Sequence, residues 1–153
     1  MTLGAGDPAP DFSLRDKDGI KHSLDSARYT VLYFYPHDNT PGCTIEAREF
    51  TALLEDFGMY DTQVIGISGG DDESKKTFCD KHHLSVVLLS DPDFIVAKQY
   101  SVYGTRMTQH GPVTGIKRTT FIIDHNREIL RVYEDVKPEG HAAEVLELIA
   151  GMG

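Results

Sequence analysis

The sequence predicts an α/β fold: a central mixed β-sheet flanked by helices, with an extra β-hairpin near the N-terminus. Three observations predict it. Short apolar runs at Val31 to Tyr35, Val64 to Ile67 and Val86 to Leu89 read as buried strands. Segments of helical period separate them, the order expected of βα units. Two later runs, Thr119 to Asp124 and Ile129 to Tyr133, are joined through His125, Asn126 and Arg127 and read as a closing hairpin, which makes the sheet mixed.

The elements follow in order. Phe12 to Leu14 and Ile20 to Leu24 flank an Asp-Lys-Asp-Gly turn and predict the N-terminal hairpin. The Val31 to Tyr35 strand runs into Pro36 and a loop from His37 to Gly42. From Cys43 onward Ala47, Phe50, Leu54 and Phe57 share one helical face, with Gly58 as the stop, so Cys43 is expected at a helix N-terminus. After the Val64 strand, a Gly-Gly-Asp-Asp turn leads into a helix from about Glu73 to His83 that carries Cys79. A short helix near Phe94 to Tyr100 precedes a Gly- and Thr-rich segment read as a loop. The final helix, from Pro138 to Ala150, places Ala142, Val145, Leu146 and Ile149 on one side. This order is similar to a thioredoxin-like fold.

The 153 residues suit a single domain spanning 1–153, with enough chain for one core. A formal charge of −9 without a basic cluster argues against nucleic acid and anionic membrane surfaces as partners. The first ten residues contain no apolar segment of the kind that leads secretion, and no stretch is long enough to span a bilayer, so a cytoplasmic location is expected. Two cysteines in such a chain are not a disulfide framework; if they pair, the bond is expected to be transient and chemical.

The chemically informative segment is Tyr33-Phe-Tyr-Pro-His-Asp-Asn-Thr-Pro-Gly-Cys-Thr-Ile-Glu46. A thiol attacks only as its thiolate, and free cysteine titrates at about 8.5, so a reactive cysteine needs help from its surroundings. The first turn of a helix offers unpaired N–H groups and the positive end of the helix dipole. Thr40 can offer its hydroxyl to the sulfur or to the atom it attacks, while Pro36 and Pro41 stiffen the loop. Arg118 opens a strand that a thioredoxin-like sheet brings near this loop, supplying a permanent cation. Such donors would stabilise the charge developing on a departing oxygen.

Pro36-x-x-x-Thr40-x-x-Cys43 resembles the signature of the peroxiredoxin superfamily. Cys43-Thr-x-Glu46, with Arg118-Thr-Thr-Phe-Ile-Ile-Asp124, looks like its bacterioferritin-comigratory, or Q-type, branch. The likeness extends from Gly6-Asp-Pro-Ala-Pro-Asp-Phe12 through Leu88-Leu-Ser-Asp91 to the last helix. It implies a thiol peroxidase that reduces hydrogen peroxide and organic hydroperoxides and needs no cofactor or metal. Cys43 is then the peroxidatic cysteine, Pro36, Thr40 and Arg118 support it, and Glu46 is a further candidate beside them.

Many members of that branch carry a second thiol five residues after the first, where this chain has Arg48. Another subset resembles the arrangement found here, with Cys79 on the following helix. By that resemblance Cys79 resolves the Cys43 sulfenic acid as an intramolecular disulfide, which thioredoxin or a similar dithiol reduces, and the enzyme works as a monomer. Thiols on two helices rarely lie within bonding geometry, so the first turn at Cys43 is expected to unwind in each cycle. The plainer reading of Cys79 is a buried core residue, since free cysteine is among the most buried residue types. The seven histidines lack metal-ligand spacing and read as a solvated polar face. The rival function is a peroxide-sensing redox module, which would stop after about one equivalent of peroxide where an enzyme turns over. A Cys-x-x-Cys oxidoreductase is disfavoured because position 46 is Glu.

Overall fold

The computed structural model describes residues 3–24 and 27–152. Its strands and helices are β1 (Leu14–Arg15), β2 (Lys21–His22), β3 (Tyr29–Phe34), α1 (Pro41–Ala52), α2 (Leu54–Gly58), β4 (Thr62–Ser68), α3 (Asp72–His82), β5 (Val87–Ser90), α4 (Ile95–Gln99), β6 (Tyr103–Thr108), β7 (Gly111–Ile116), β8 (Thr119–Asp124), β9 (Ile129–Tyr133) and α5 (His141–Met152). Five strands form the central sheet in the order β5-β4-β3-β8-β9. β3 pairs with β4 in parallel and with β8 antiparallel, so the sheet is mixed and thioredoxin-like as expected.

Every residue of β3 is buried, because the strand is covered on both faces. Tyr29, Val31, Tyr33 and Tyr35 point into one core with Phe50, Phe57, Phe78 and Ile149, beneath α1, α2, α3 and α5. Leu32 and Phe34 point the opposite way, into a core with Val96, Ala97, Tyr100 and Phe121, which α4 and the N-terminal segment around Phe12 close. Burial of each such large apolar side chain contributes roughly 1.5–3 kcal/mol. The strand alternation of period two therefore decides which residues face the two cysteine-bearing helices, α1 and α3.

Four details differ from the sequence reading. The Gly- and Thr-rich segment is a two-stranded ribbon, β6 and β7, and not a loop. Thr105, Arg106, Met107, Val113 and Thr114 are all exposed, so no apolar alternation marks it; the Thr105 and Thr114 hydroxyls instead pair across it at 2.7 Å. The helix at Cys43 begins two residues earlier, at Pro41, and breaks at Leu53, whose φ of −104° and ψ of 7° leave the helical region. The last helix starts at His141 because Gly140 takes a positive φ of 80°, leaving Pro138 in the preceding turn. The N-terminal hairpin is present but short, with two residues in each strand.

Candidate active site

Thr40 is the N-cap of α1, with an extended backbone, and Pro41 follows at the first helical position, where its missing N–H leaves no bond unmade. Cys43 therefore lies in the first turn. The Thr40 side chain makes no capping bond, so it does not occupy the free N–H groups of that turn. Its hydroxyl donates to the His37 carbonyl at 3.3 Å, and not to the cysteine sulfur. Its own carbonyl accepts from the Thr44 hydroxyl at 2.7 Å and from the Thr44 N–H at 2.8 Å. Pro36 is half-buried where β3 leaves the sheet.

The β3–β8 register pairs Phe34 with Thr119, which sets Arg118 beside the start of the Cys43 loop. Its Nη2 donates to Cys43 Sγ at 3.3 Å and its Nη1 to Glu46 Oε1 at 2.7 Å. Gly42 makes room for this: a Cβ there would lie 3.2 Å from Arg118 Nη2 and 3.3 Å from Pro138 Cγ. Cys43 is 1% exposed and Glu46 is fully buried. Burial pushes the Glu46 carboxyl up to about 7, against the opposing pull of Arg118, and Glu46 Oε2 is buried without a hydrogen-bond partner among the described residues. Burial alone would lower the Arg118 guanidinium, but Glu46 and the Cys43 sulfur outweigh it and hold it above its ordinary value. The sulfur thus faces a fixed cation with a directed N–H donor.

Cys79 is 5% exposed, on α3, and shares its apolar cluster with Cys43, Tyr33, Tyr35 and Phe78. Both cysteines are free thiols. Burial pushes the Cys79 thiol up, with Asp38 and Asp80 adding to the shift and Lys17 and Lys75 opposing it. The structure therefore brings Cys43, Arg118 and Glu46 into contact, with Thr40 and Pro36 framing the loop and Cys79 in the same buried cluster, on α3.

The sequence reading missed Asp38 and Lys75. Lys75, fully buried on α3, donates to Asp38 Oδ2 at 3.1 Å and to Ser68 Oγ at 2.8 Å. Tyr35 donates to Asp38 Oδ1 at 2.6 Å, and Ser74 to Oδ2 at 2.7 Å. A second tether joins the adjacent loop residue, Asn39 Oδ1, to His82 Nε2 at 2.8 Å. Asn39 adopts a left-handed φ of 60°, which its short polar side chain tolerates. These bonds fasten the loop before Cys43 to the helix that carries Cys79. No local sequence signal links Asp38 to a lysine 37 positions away.

The AhpC/TSA family model matches residues 5–132. The chain is 36% identical over 154 residues to the peroxiredoxin Bcp of Bacillus subtilis, covering 99% of this chain and 98% of that one. The crystal structure of a cysteine-to-serine mutant of Xylella fastidiosa PrxQ superposes with a TM-score of 0.92 at 31% identity, covering 99% of this chain and 98% of that one. The bacterioferritin comigratory protein of Xanthomonas campestris, solved in trapped intermediate and ligand complexes bearing on its alkyl peroxide reduction activity, superposes with a TM-score of 0.85 at 28% identity over 92% of this chain and 91% of that one.

Proposed function

The chain belongs to the AhpC/TSA family, as a thiol peroxidase related to the Bcp and Q-type peroxiredoxins, and on that premise we propose that Cys43 is its peroxidatic thiol. The observation that carries this reading is the guanidinium of Arg118 held between Cys43 Sγ and Glu46. The Cys43 thiolate attacks one oxygen of a hydroperoxide. The O–O bond breaks, the sulfur becomes sulfenic acid, and the second oxygen leaves as an alkoxide or hydroxide that takes a proton to become alcohol or water. Arg118 and the free N–H groups of the first helical turn stabilise the negative charge as it passes from sulfur to oxygen. Thr40 stands in the same loop, where its hydroxyl reaches a bound peroxide by rotating away from the His37 carbonyl. Pro36 holds the strand-to-loop turn.

Cys79 is the proposed resolving thiol. Its position in the same buried cluster as Cys43, on the helix to which the Cys43 loop is fastened, supports this role. Condensation of the Cys79 thiol with the sulfenic acid gives a disulfide and water, provided the first turn of α1 unwinds to let the sulfurs meet. An external dithiol such as thioredoxin then reduces the disulfide by exchange. Alkyl hydroperoxides are proposed as substrates beside hydrogen peroxide, in line with the activity of the Xanthomonas campestris relative.

The deciding experiment treats reduced protein with one equivalent of hydrogen peroxide, blocks residual thiols and maps the peptides by mass spectrometry. The expected product is a Cys43–Cys79 disulfide. Oxidation of Cys43 beyond sulfenic acid with Cys79 left free would assign resolution to another molecule. Lack of reaction at Cys43 would end the peroxidatic assignment.

A further inference from the structure

We propose that Lys75 is a positioning residue that activates Cys79 only when the Cys43 loop opens, because opening removes Asp38, the carboxylate that neutralises Lys75 in the closed fold. The inference rests on the reading of Cys79 as the resolving thiol.

Lys75 and Cys79 are four residues apart on α3, so their side chains lie on one face, one turn apart, and both are buried. In the closed fold the ammonium is directed at Asp38 and Ser68, and Asp38 itself accepts from Tyr35, Ser74 and Lys75. Gly70 preserves this geometry, since any Cβ there would collide with Asp38 Oδ2 and crowd Ser74 Oγ. Asp38 lies between β3 and α1, three residues before the helix whose first turn unwinds in the proposed cycle, whereas Lys75 and Cys79 remain together on their helix.

The other charges around the pair are Lys17 from the turn between β1 and β2, Asp71 at the N-cap of α3 and Asp80 within α3; the Tyr35 ring lies 5.7 Å from Lys75 Nζ. Burial lowers the Lys75 ammonium and raises the Cys79 thiol, and Asp38 opposes the first shift and adds to the second. Departure of Asp38 removes an anion that disfavours the Cys79 thiolate and leaves a cation one turn away without its partner. The proton then leaves Cys79, and the thiolate attacks the Cys43 sulfenic sulfur. An S–S bond forms, the S–O bond breaks, and hydroxide departs with that proton as water. Closed, the site keeps Cys79 protonated and inert; open, it has a nucleophile ready.

Rapid-quench mass spectrometry after one equivalent of hydrogen peroxide, repeated across pH, reads Cys43 oxidation and disulfide formation separately. The variants are Lys75→Met and, so that no buried charge is left unpaired, Lys75→Met combined with Asp38→Asn. Without the Lys75 cation Cys79 stays more fully protonated, and the loss of thiolate outweighs the gain in nucleophilicity, so disulfide formation at pH 7 should slow by roughly threefold or more. The deficit should shrink as pH rises and the thiolate fraction recovers, and Cys43 oxidation should change far less than disulfide formation. Disulfide formation in the double variant with the wild-type rate and pH profile would overturn the proposal. If the parent protein forms no Cys43–Cys79 disulfide, the resolving role fails separately. Alkylation of Cys79 in a Cys43→Ser background still decides the Lys75 question: Asp38→Asn should accelerate it and the double variant should not, and equal rates in all three proteins would overturn it.

Discussion

Arg118 divides its guanidinium between two acidic partners, with Nη1 2.7 Å from Glu46 Oε1 and Nη2 3.3 Å from Cys43 Sγ. Replacing it should separate chemistry from stability. Arg118→Met removes the donor and the charge at the sulfur, and the rate of Cys43 oxidation should fall about 10²-fold or more in stopped-flow peroxide consumption. Arg118→Lys should restore little, because one ammonium cannot serve both partners in this planar geometry. Urea unfolding of Arg118→Met should reveal a loss of about 3 kcal/mol at pH 8, where the buried Glu46 carboxyl, freed of the pull of Arg118, must take up a proton on folding, and a smaller loss at pH 5, where it is already neutral.

Glu46 makes stability depend on pH in an unusual direction. Its carboxyl rises from 4.5 to about 7 on folding, so between those values the native state binds the extra proton and stability falls as pH rises. The contribution is roughly 3 kcal/mol across that window. His141 acts oppositely: burial lowers its imidazole despite Glu144, so the unfolded chain binds the extra proton below 6.5 and stability rises with pH there. The difference between parent and Glu46→Gln isolates the carboxylate. Glu46→Gln should be the more stable of the two at pH 8, and the gap should narrow toward pH 5 in chemical denaturation.

Gly42 provides a test of placement alone. Gly42→Ala adds one methyl group against Arg118 Nη2 and Pro138 Cγ without changing any charge. The guanidinium should shift off the sulfur and slow Cys43 oxidation about tenfold, a modest fraction of what loss of a whole donor costs. Thermal stability should change little, since alanine in place of glycine favours the helix by about 1 kcal/mol. Unchanged peroxide kinetics would mean that the guanidinium accommodates the methyl group.

Thr40 tests whether a hydroxyl that bonds the His37 carbonyl at rest serves the peroxide during reaction. Thr40→Ser keeps the hydroxyl and should retain most activity, while Thr40→Val keeps the shape and should lose about tenfold or more in the oxidation step. Equal rates for the two variants would restrict Thr40 to shaping the loop.

Much of this protein was legible as local pattern. The apolar run at Val31 to Tyr35, the helical face of Ala47, Phe50 and Phe57, and the closing strands around Phe121 and Val132 each carry a period that a sheet or helix imposes on its own residues. The Cys43 loop was equally legible, since Pro36, Thr40, Pro41 and Gly42 are neighbours in the chain. The ribbon of β6 and β7 escaped because both its faces are exposed along most of its length, leaving no alternation to read. The break at Leu53 escaped because no proline or glycine marks it.

The sequence by itself determined the alternation of strands and helices, the placement of Cys43 in a first helical turn and Arg118 as its candidate cation. Only the tertiary structure decided that Arg118 bonds the sulfur and Glu46 together, that Thr40 turns its hydroxyl to His37, and that Asp38 is fastened to Lys75 on the helix of Cys79. The physical reason is range. Periodicity and capping act within a few residues, whereas a buried charge finds its partner through sheet register and helix packing, which join positions 37 and 72 residues apart.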